Sequence, residues 1–381
     1  MINTTTAYGR ESIRGIARYS REHGPWSLTL DPIGVGMPTL GAETGVVDGL
    51  IARVADERMR ARLHAIRSTA MAPCVDLSNE FSEMDIPRVV PDPEAVARAA
   101  VDHLLDRGFT EFGYCGVNGQ AYSRKREQAF VAHLDALGHR CRAYTGRQGR
   151  QARTLDVELR RMADWLGGFD GPAGVLACND WRAGQLLRAS RIAGLHVPDT
   201  IGVVGIDNDA VACETGHVTL TSVEIDAERI GYEAARRLDA MMRGDAIDAG
   251  TVHAGDVYVE ARASTDVLLV ADPIVRDALQ VMRRSGTPPR SVAEVVAGLA
   301  LSRRPFEKRF RAAVGRSPNE ELQQCRIRLA ERLLRTTDLP ISTIAERCGY
   351  GYAHQLSAAF GRLRQQTPSA YRELSRASGL K

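Results

Sequence analysis

Residues 174–209 read GVLACNDWRAGQLLRASRIAGLHVPDTIGVVGIDND, and their pattern is the strongest indication of the fold. Two short apolar runs, GVLAC and GVVGI, enclose a segment in which apolar residues recur every three or four positions. This pattern predicts a strand, a helix and a second strand. Gly194 lies where a glycine would end the helix in the left-handed conformation. Units of this kind build a parallel sheet.

The same alternation fills the first two-thirds of the chain. Short β-like runs such as DGLIARV, FGYCG and IGVVGID alternate with helical patterns at 94–107, 124–137, 182–193 and 227–242. From about residue 272 onward, helical patterns separated by short turns replace the strands. We therefore expect an α/β domain with parallel sheets, followed by an all-α domain.

Polar residues follow three of the predicted strands. Asn179-Asp180 follows GVLAC, Asp207-Asn208-Asp209 follows GVVGI, and the segment after FGYCG runs through Tyr122 to Arg126. Ligands of open parallel sheets bind at the carboxyl ends of the strands, so these side chains are candidate ligand contacts. Each position taken alone is better explained as a helix cap or a turn, because Asn and Asp favour both.

Taken together, these residues fit a sugar. Arg, Asn and Asp offer forked donors and acceptors that suit vicinal hydroxyls. Tyr122 or Trp181 would lie against the apolar C–H face of the sugar ring. The candidate ligand-binding residues are Tyr122, Arg126, Asn179, Trp181 and Asp207.

Composition and motifs favour a cytoplasmic protein that is not an enzyme. The seven cysteines are scattered, without the spacing of a zinc site or a disulfide framework. We find no signal peptide, no apolar run of membrane-spanning length and no catalytic, cofactor or metal motif. Two alternatives remain open: a sugar-processing enzyme with an accessory helical domain would need a catalytic constellation, and an exported solute-binding protein would need a signal peptide.

The first two-thirds of the chain resembles the LacI/GalR-type regulators and the periplasmic sugar-binding proteins. The stretch at 174–209 carries this resemblance, together with VVPDPEAVARAAVDHLLDRGFTEFGYCG at 89–116 and VVDGLIARV at 46–54. The resemblance covers roughly residues 3–266 and implies two Rossmann-like lobes that close on a sugar. It also implies that Arg126, Asn179 and Asp207 hydrogen-bond the effector.

The chain departs from this resemblance at its beginning. The fold normally has a strand of about five or six residues ahead of the polar turn that here reads NTTTAYGR. Only Met1 and Ile2 precede this turn. We expect translation to begin further upstream.

Charge divides the chain into two regions. Residues 271–381 hold 20 Lys/Arg against 10 Asp/Glu, a formal charge of +10, whereas the rest holds 30 against 37, a formal charge of −7. A basic region is either an ordinary solvated surface or a surface for a polyanion. Counterion release favours DNA as the partner only if the cations lie on faces that can reach a groove.

The basic region contains a first helix-turn-helix pattern. A short helix, SVAEVVAGLAL, precedes a second predicted helix at 303–314. Phe306 and Phe310 lie four residues apart and predict its buried side, which leaves the cations exposed. In a recognition helix, Arg pairs with guanine while other cations hold phosphates. The candidate DNA-binding residues here are Arg303, Arg304, Lys308 and Arg311.

A second helix-turn-helix pattern follows. It consists of ISTIAERCGY, a turn, and a predicted helix at 352–363 with Leu356 and Phe360 in its core. Between the two patterns, CRIRLAERLLR predicts a long helix that would space two recognition helices for adjacent major grooves. The candidate DNA-binding residues of this second unit are Tyr352, His354, Gln355, Arg362 and Arg364.

Residues 302–334 and 341–372 closely resemble the AraC-type DNA-binding domain, through to its TPSAYR end. A sugar-binding domain ahead of an AraC-type domain resembles the XylR-like regulators, which implies D-xylose or another pentose as effector. The expected domains are 1–267 for sugar sensing, a linker at 268–275, and 276–381 for DNA binding. The expected partners are double-stranded DNA, a small sugar and a second copy of the chain, with RNA polymerase as a further candidate and no membrane.

Overall fold

The computed structural model describes residues 1–24, 26–29, 47–147, 152–283, 288, 291–299 and 301–377. The chain divides into two compact units, Met1–Asp266 and Val267–Lys381. Each unit has its own hydrophobic core. The first unit is α/β and the second is helical, as the sequence pattern predicts.

The first unit contains two sheets. The four-stranded sheet has the order β1-β2-β3-β9, and all its pairs are parallel. The six-stranded sheet has the order β10-β8-β7-β6-β4-β5, and among the described strands only the edge pair β10–β8 is antiparallel. The strands are β1 Leu50–Ala52, β2 Cys74–Asp76, β3 Arg88–Val90, β4 Glu111–Val117, β5 Cys141–Gly146, β6 Ala173–Ala177, β7 Ile201–Ile206, β8 Thr221–Ile225, β9 Thr251–His253 and β10 Val257–Glu260.

Helices cover these sheets and define two lobes. Lobe 1 is built on the four-stranded sheet with α1, α2 and α8, and lobe 2 on the six-stranded sheet with α3 to α7. The chain crosses between the lobes after β3, after β8 and after β9. The helices are α1 Ala7–His23, α2 Glu57–Ala70, α3 Pro93–Asp106, α4 Ala121–Ala136, α5 Ala152–Leu166, α6 Asp180–Ile192, α7 Ala210–Glu214 and α8 Ala227–Met242.

The stretch that predicted the fold forms β6, α6 and β7 of lobe 2. Every residue of β6 and β7 is buried, which is why their sequences are continuously apolar rather than alternating. Asn179 caps α6, with its Oδ1 accepting a hydrogen bond from the Arg182 N–H at 2.8 Å. Gly194 has φ +68°, the left-handed conformation expected after the helix. The two-lobed α/β fold is confirmed.

The first two residues lie beside β1. The amino group of Met1 donates to the Ile51 carbonyl at 2.7 Å, and the Met1 carbonyl accepts from the Arg53 N–H at 3.0 Å. The polar turn then leads into α1, where the Thr6 hydroxyl accepts from the Gly9 N–H. The chain before α1 thus extends lobe 1 by one short backbone pairing.

The second unit is built on a long central helix. Its helices are α9 Pro273–Arg283, α10 Val292–Ala297, α11 Arg303–Val314, α12 Pro318–Thr336, α13 Ile341–Arg347, α14 Ala353–Arg364 and α15 Pro368–Ala377. The start of α12 gives Leu322 and Cys325 to a core shared with α9 to α11. Its later residues Ile327, Ala330 and Leu334 belong to a core shared with α13 to α15.

The structure corrects the predicted linker at 268–275. Leu268, Val270 and Ile274 pack against the core of α9 to α12, and Val275 is fully buried in it. Asp272 caps α9 by accepting from the backbone N–H groups of Ile274 and Val275. The apolar residues of this segment therefore belong to the helical unit, because they extend the buried face of α9.

Candidate effector site and DNA-binding helices

Four of the predicted ligand-binding residues form one cluster in lobe 2. Arg126 Nη2 lies 3.4 Å from Asp207 Oδ1, and the Arg126 guanidinium lies 5.4 Å from the centre of the Tyr122 ring. Asn179 Nδ2 donates to the Tyr122 hydroxyl at 3.2 Å. These residues come from α4 and from the turns after β6 and β7, which end at one edge of the sheet. We call this group the effector cluster.

The charged pair in the effector cluster is mostly buried, because 9% of the Arg126 side chain and 20% of the Asp207 side chain are exposed. Burial raises the pKa of Asp207, and the facing guanidinium of Arg126 opposes this rise. A buried charge of this kind is stable only with a partner. The pair therefore holds a donor fork and an acceptor in fixed positions at the end of the sheet.

The loop after β7 is strained. Asp207 has φ +105° and Asn208 has φ +48°, values that residues other than glycine rarely adopt. Hydrogen bonds hold this backbone: the Asn208 N–H donates to Ser222 Oγ at 3.0 Å, and Asn208 Oδ1 accepts from Arg262 at 2.8 Å. The side chain of Asp207 is thereby directed towards Arg126.

Asp180 also holds this loop in place through hydrogen bonds. It is 2% exposed, and its Oδ2 accepts from the Asp209 N–H at 2.7 Å. Its Oδ1 accepts from Ser222 Oγ at 2.5 Å. Burial, together with the nearby charge of Asp207, raises the pKa of Asp180 to about 7. Asp180 follows a strand directly, yet its role here is structural.

Lobe 1 contributes residues that the sequence analysis missed. The Arg53 guanidinium lies 5.4 Å from the centre of the Tyr8 ring and 6.0 Å from that of Tyr122, so it approaches an aromatic ring of each lobe. The Tyr8 hydroxyl donates to the Leu77 carbonyl at 3.0 Å. The signal for Arg53 was present, because it directly follows β1 at the carboxyl end of a parallel strand.

Trp181 differs from the other predicted ligand-binding residues. Its side chain is 47% exposed. Among the residues that the structure describes, no hydrogen bond or ring contact joins it to the effector cluster. Asn179 ends its turn by capping α6, and Trp181 is already the second residue of that helix. We therefore assign Tyr122, and not Trp181, as the aromatic residue of the effector cluster.

The first predicted recognition helix is α11. Phe306 and Phe310 are fully buried, with ring centres 5.5 Å apart, and they fix which side of the helix faces the core. The cations Arg304, Lys308 and Arg311 are exposed. Arg303 is also exposed but donates to Glu307 Oε1 at 2.8 Å, one turn along the same helix. The face opposite the phenylalanines thus presents at least three cations to solvent.

The second predicted recognition helix is α14, with Leu356 and Phe360 fully buried. Tyr352 is 67% exposed, and its ring stacks on that of His354 at 5.6 Å. Gln355 Oε1 accepts from the Gly351 N–H at 3.1 Å, so its amide is partly engaged at the start of the helix. Arg362 is exposed. These positions form a mixed aromatic and polar face.

Arg364 does not lie on that open face. Its guanidinium is paired with both carboxylate oxygens of Glu331 on α12, with Nη2 3.1 Å from Oε2. Arg364 lies one turn beyond Phe360 and two turns beyond Leu356, so helical periodicity places it on the packed side of α14, where α12 supplies its partner. The structure assigns Arg364 a stabilising contact within the domain.

Comparison with known proteins identifies the class. Residues 101–265 match the periplasmic binding protein-like domain, and residues 295–374 match the helix-turn-helix domain. The chain therefore carries a periplasmic-binding-protein-like domain followed by a helix-turn-helix domain, and this second domain is similar to those of AraC-like transcription regulators. Its full-length relatives are transcription regulators and not enzymes.

The similarity to particular regulators extends over nearly the whole chain. The xylose operon regulatory protein of Haemophilus influenzae is 26% identical, covering 98% of this chain and 97% of the relative. That of Escherichia coli is 25% identical, covering 98% and 96%. A solved structure described as the xylose-binding transcription activator xylR is 25% identical, with a TM-score of 0.61, covering 98% of this chain and 97% of the other. The XylR-like resemblance is confirmed.

None of the helices in the described part of the chain combines the length and the apolar character that crossing a bilayer requires.

Proposed function

We propose that this regulator binds double-stranded DNA under the control of a small sugar, D-xylose or another pentose. The observation that carries the proposal is the effector cluster, in which Arg126, Asp207, Asn179 and Tyr122 converge at the carboxyl ends of the lobe 2 strands. Ligands of this type of sheet bind at this position. The similarity to xylose operon regulatory proteins supports a pentose.

The cluster suits a neutral polyol. A sugar displays several hydroxyl groups that both donate and accept, so it engages a guanidinium fork and a carboxylate together. The Tyr122 ring offers an apolar surface for the C–H groups of the sugar ring. Because Arg126 and Asp207 already neutralise each other, the pair does not demand a charged ligand.

The DNA-binding half of the proposal rests on α11 and α14. The exposed cations of α11 include Arg304, Lys308 and Arg311. They supply guanine recognition and phosphate contacts, while Tyr352, His354 and Arg362 of α14 face a second groove. The regulator acts in the cytoplasm as a homodimer, with RNA polymerase as a candidate contact. A sugar controls DNA binding only if it binds one dimer geometry better than the other.

The proposal is tested by measuring both activities on the full chain. A gel-shift titration uses DNA from upstream of the protein's own locus, with and without D-xylose, L-arabinose and D-ribose. Isothermal titration calorimetry compares the same pentoses with D-glucose and D-galactose. We expect a pentose to bind and to change the DNA affinity. DNA binding that ignores every sugar contradicts the sensing role, and absence of DNA binding contradicts the regulator itself.

A further inference from the structure

Asp209 connects lobe 2 to the first helix of lobe 1. Its Oδ2 accepts from the Ala7 N–H at 3.0 Å and from Arg10 Nη2 at 3.0 Å. Ala7 is the first residue of α1, so this N–H has no partner inside its own helix. The other oxygen of Asp209, Oδ1, accepts from the Val211 N–H at 3.1 Å and caps α7. One carboxylate thus serves helix ends in both lobes.

A second carboxylate crosses between the lobes in the opposite direction. Glu80 of lobe 1 accepts from the backbone N–H of Ala121, the first residue of α4 in lobe 2. Gln120, at the N-cap of α4, makes no side-chain capping bond. Glu80 therefore supplies from the other lobe the acceptor that the helix lacks locally. Both contacts pair a carboxylate with the positive end of a helix dipole.

The interlobe contact of Asp209 lies on the same short loop as Asp207 of the effector cluster. Asp207, which faces Arg126, and Asp209 are separated only by Asn208. This short loop has two consecutive residues at positive φ, and Asp180 binds its backbone at Asp209. A loop held at both ends has few ways to move one carboxylate without the other. A ligand that holds Asp207 in place will also hold Asp209 in place.

We propose that Asp209 with Arg10 and Ala7, and Glu80 with Ala121, form a pair of interlobe clasps that hold the lobes closed, and that the 207–209 loop couples effector binding to them. The residues of the clasps do not contact the sugar. They set the fraction of molecules that are already closed, and a ligand that prefers the closed form binds more weakly when that fraction falls. This coupling to affinity rests on the function proposed above.

The clasps are tested first without any sugar, by hydrogen exchange and mass spectrometry on the full chain. Arg10→Ala removes one partner of Asp209 and leaves the α7 cap intact. If the two clasps open and close cooperatively, Arg10→Ala accelerates amide exchange at the start of α4, around Ala121, by about three- to tenfold. Glu80→Ala, which removes the acceptor of the Ala121 N–H, accelerates exchange around Ala7 in return. The matched control is Arg14→Ala, which changes an exposed α1 residue whose guanidinium pairs with Glu11 of the same helix.

Amide exchange in β4, the core strand next to α4, is the internal control. It stays unchanged when only the lobes separate and accelerates when the whole lobe is destabilised. Unchanged exchange at the distant clasp in both variants overturns the proposal.

Calorimetry with D-xylose is the second experiment. The affinity of Arg10→Ala falls by about three- to tenfold, and that of Arg14→Ala stays as in the wild type. Equal affinities of Arg10→Ala and the wild type overturn the coupling. If the wild type binds no sugar, the function proposed above fails, and the exchange experiment still decides the clasps.

Discussion

Arg126 and Asp207 are 81 positions apart in the chain, yet their side chains lie 3.4 Å apart at the end of the lobe 2 sheet. Neither residue is in a strand. Arg126 projects from α4 and Asp207 from a strained turn. The pair exists because β4, β6 and β7 lie side by side and all end at the same edge.

Asp207→Ala removes the acceptor of the effector cluster and leaves the Arg126 guanidinium unpaired. We expect sugar affinity to fall by about 10- to 100-fold, the usual cost of losing a hydrogen bond to a charged group. DNA affinity without sugar stays unchanged. Calorimetry measures the sugar affinity, and gel-shift titration measures the DNA affinity. Asp170→Ala, at an exposed position, is the control. Loss of both activities in Asp207→Ala would argue against separate sensing and DNA-binding regions.

Arg304→Ala tests base reading by α11. Arg304 is exposed on the face opposite the buried phenylalanines. We expect DNA affinity to fall by ~1–3 kcal/mol and discrimination at one base pair to relax. Arg303→Ala gives a smaller loss, because Arg303 is already engaged with Glu307. Competition titrations with substituted DNA sites check both variants, and an unchanged affinity of Arg304→Ala would remove it from the interface.

Lys308→Ala tests a phosphate contact on the same helix. Its exposed ammonium suits the DNA backbone rather than a base. We expect binding to weaken about equally on all DNA sequences, and the slope of log affinity against log salt to fall by about 1. Titrations between low and moderate salt measure the slope. A sequence-dependent loss would instead indicate base recognition.

Arg364→Ala tests the correction to the second helix-turn-helix unit. Because Arg364 bridges α14 to Glu331 on α12, its loss lowers the free energy of unfolding of this unit by about 1 kcal/mol. Arg362→Ala, two residues away and exposed, changes stability by less than about 0.5 kcal/mol. Thermal unfolding compares the two variants. Equal free energies of unfolding for the two variants would contradict the stabilising role and favour a DNA-facing role for Arg364.

Asp180 makes stability depend on pH. Its pKa is about 7 in the folded protein and about 4 when unfolded, so the folded state binds this proton more tightly. Its contribution to stability is full below pH ~4 and is lost as the pH rises to about 7. Asp180→Asn removes this dependence, so its free energy of unfolding declines less between pH 5 and 7.5 than that of the wild type. Denaturant titrations across this range measure the difference, and parallel pH profiles would contradict it.

Much of the candidate site was predictable because it follows strands. Asn179 and Asp207 come directly after apolar runs, and parallel strands bring their carboxyl ends to one edge. The same rule would have found Arg53, which directly follows β1. Glu80 and Asp209 were not predictable as interlobe contacts. Their partners are backbone N–H groups of distant helices, and nothing in the sequence marks such a pairing.

Local periodicity and composition in the sequence predict the α/β and all-α character of the two regions, the buried faces of α11 and α14 and the separation of acidic and basic charge. Which polar groups have partners depends instead on tertiary packing. Arg304 and Arg364 are both arginines of predicted recognition helices, yet Arg304 lies in solvent opposite the buried phenylalanines, whereas the packing of α14 against α12 gives Arg364 a carboxylate partner. Periodicity fixes the direction of a side chain from its own helix, whereas its partner depends on the helix or lobe that packs beside it.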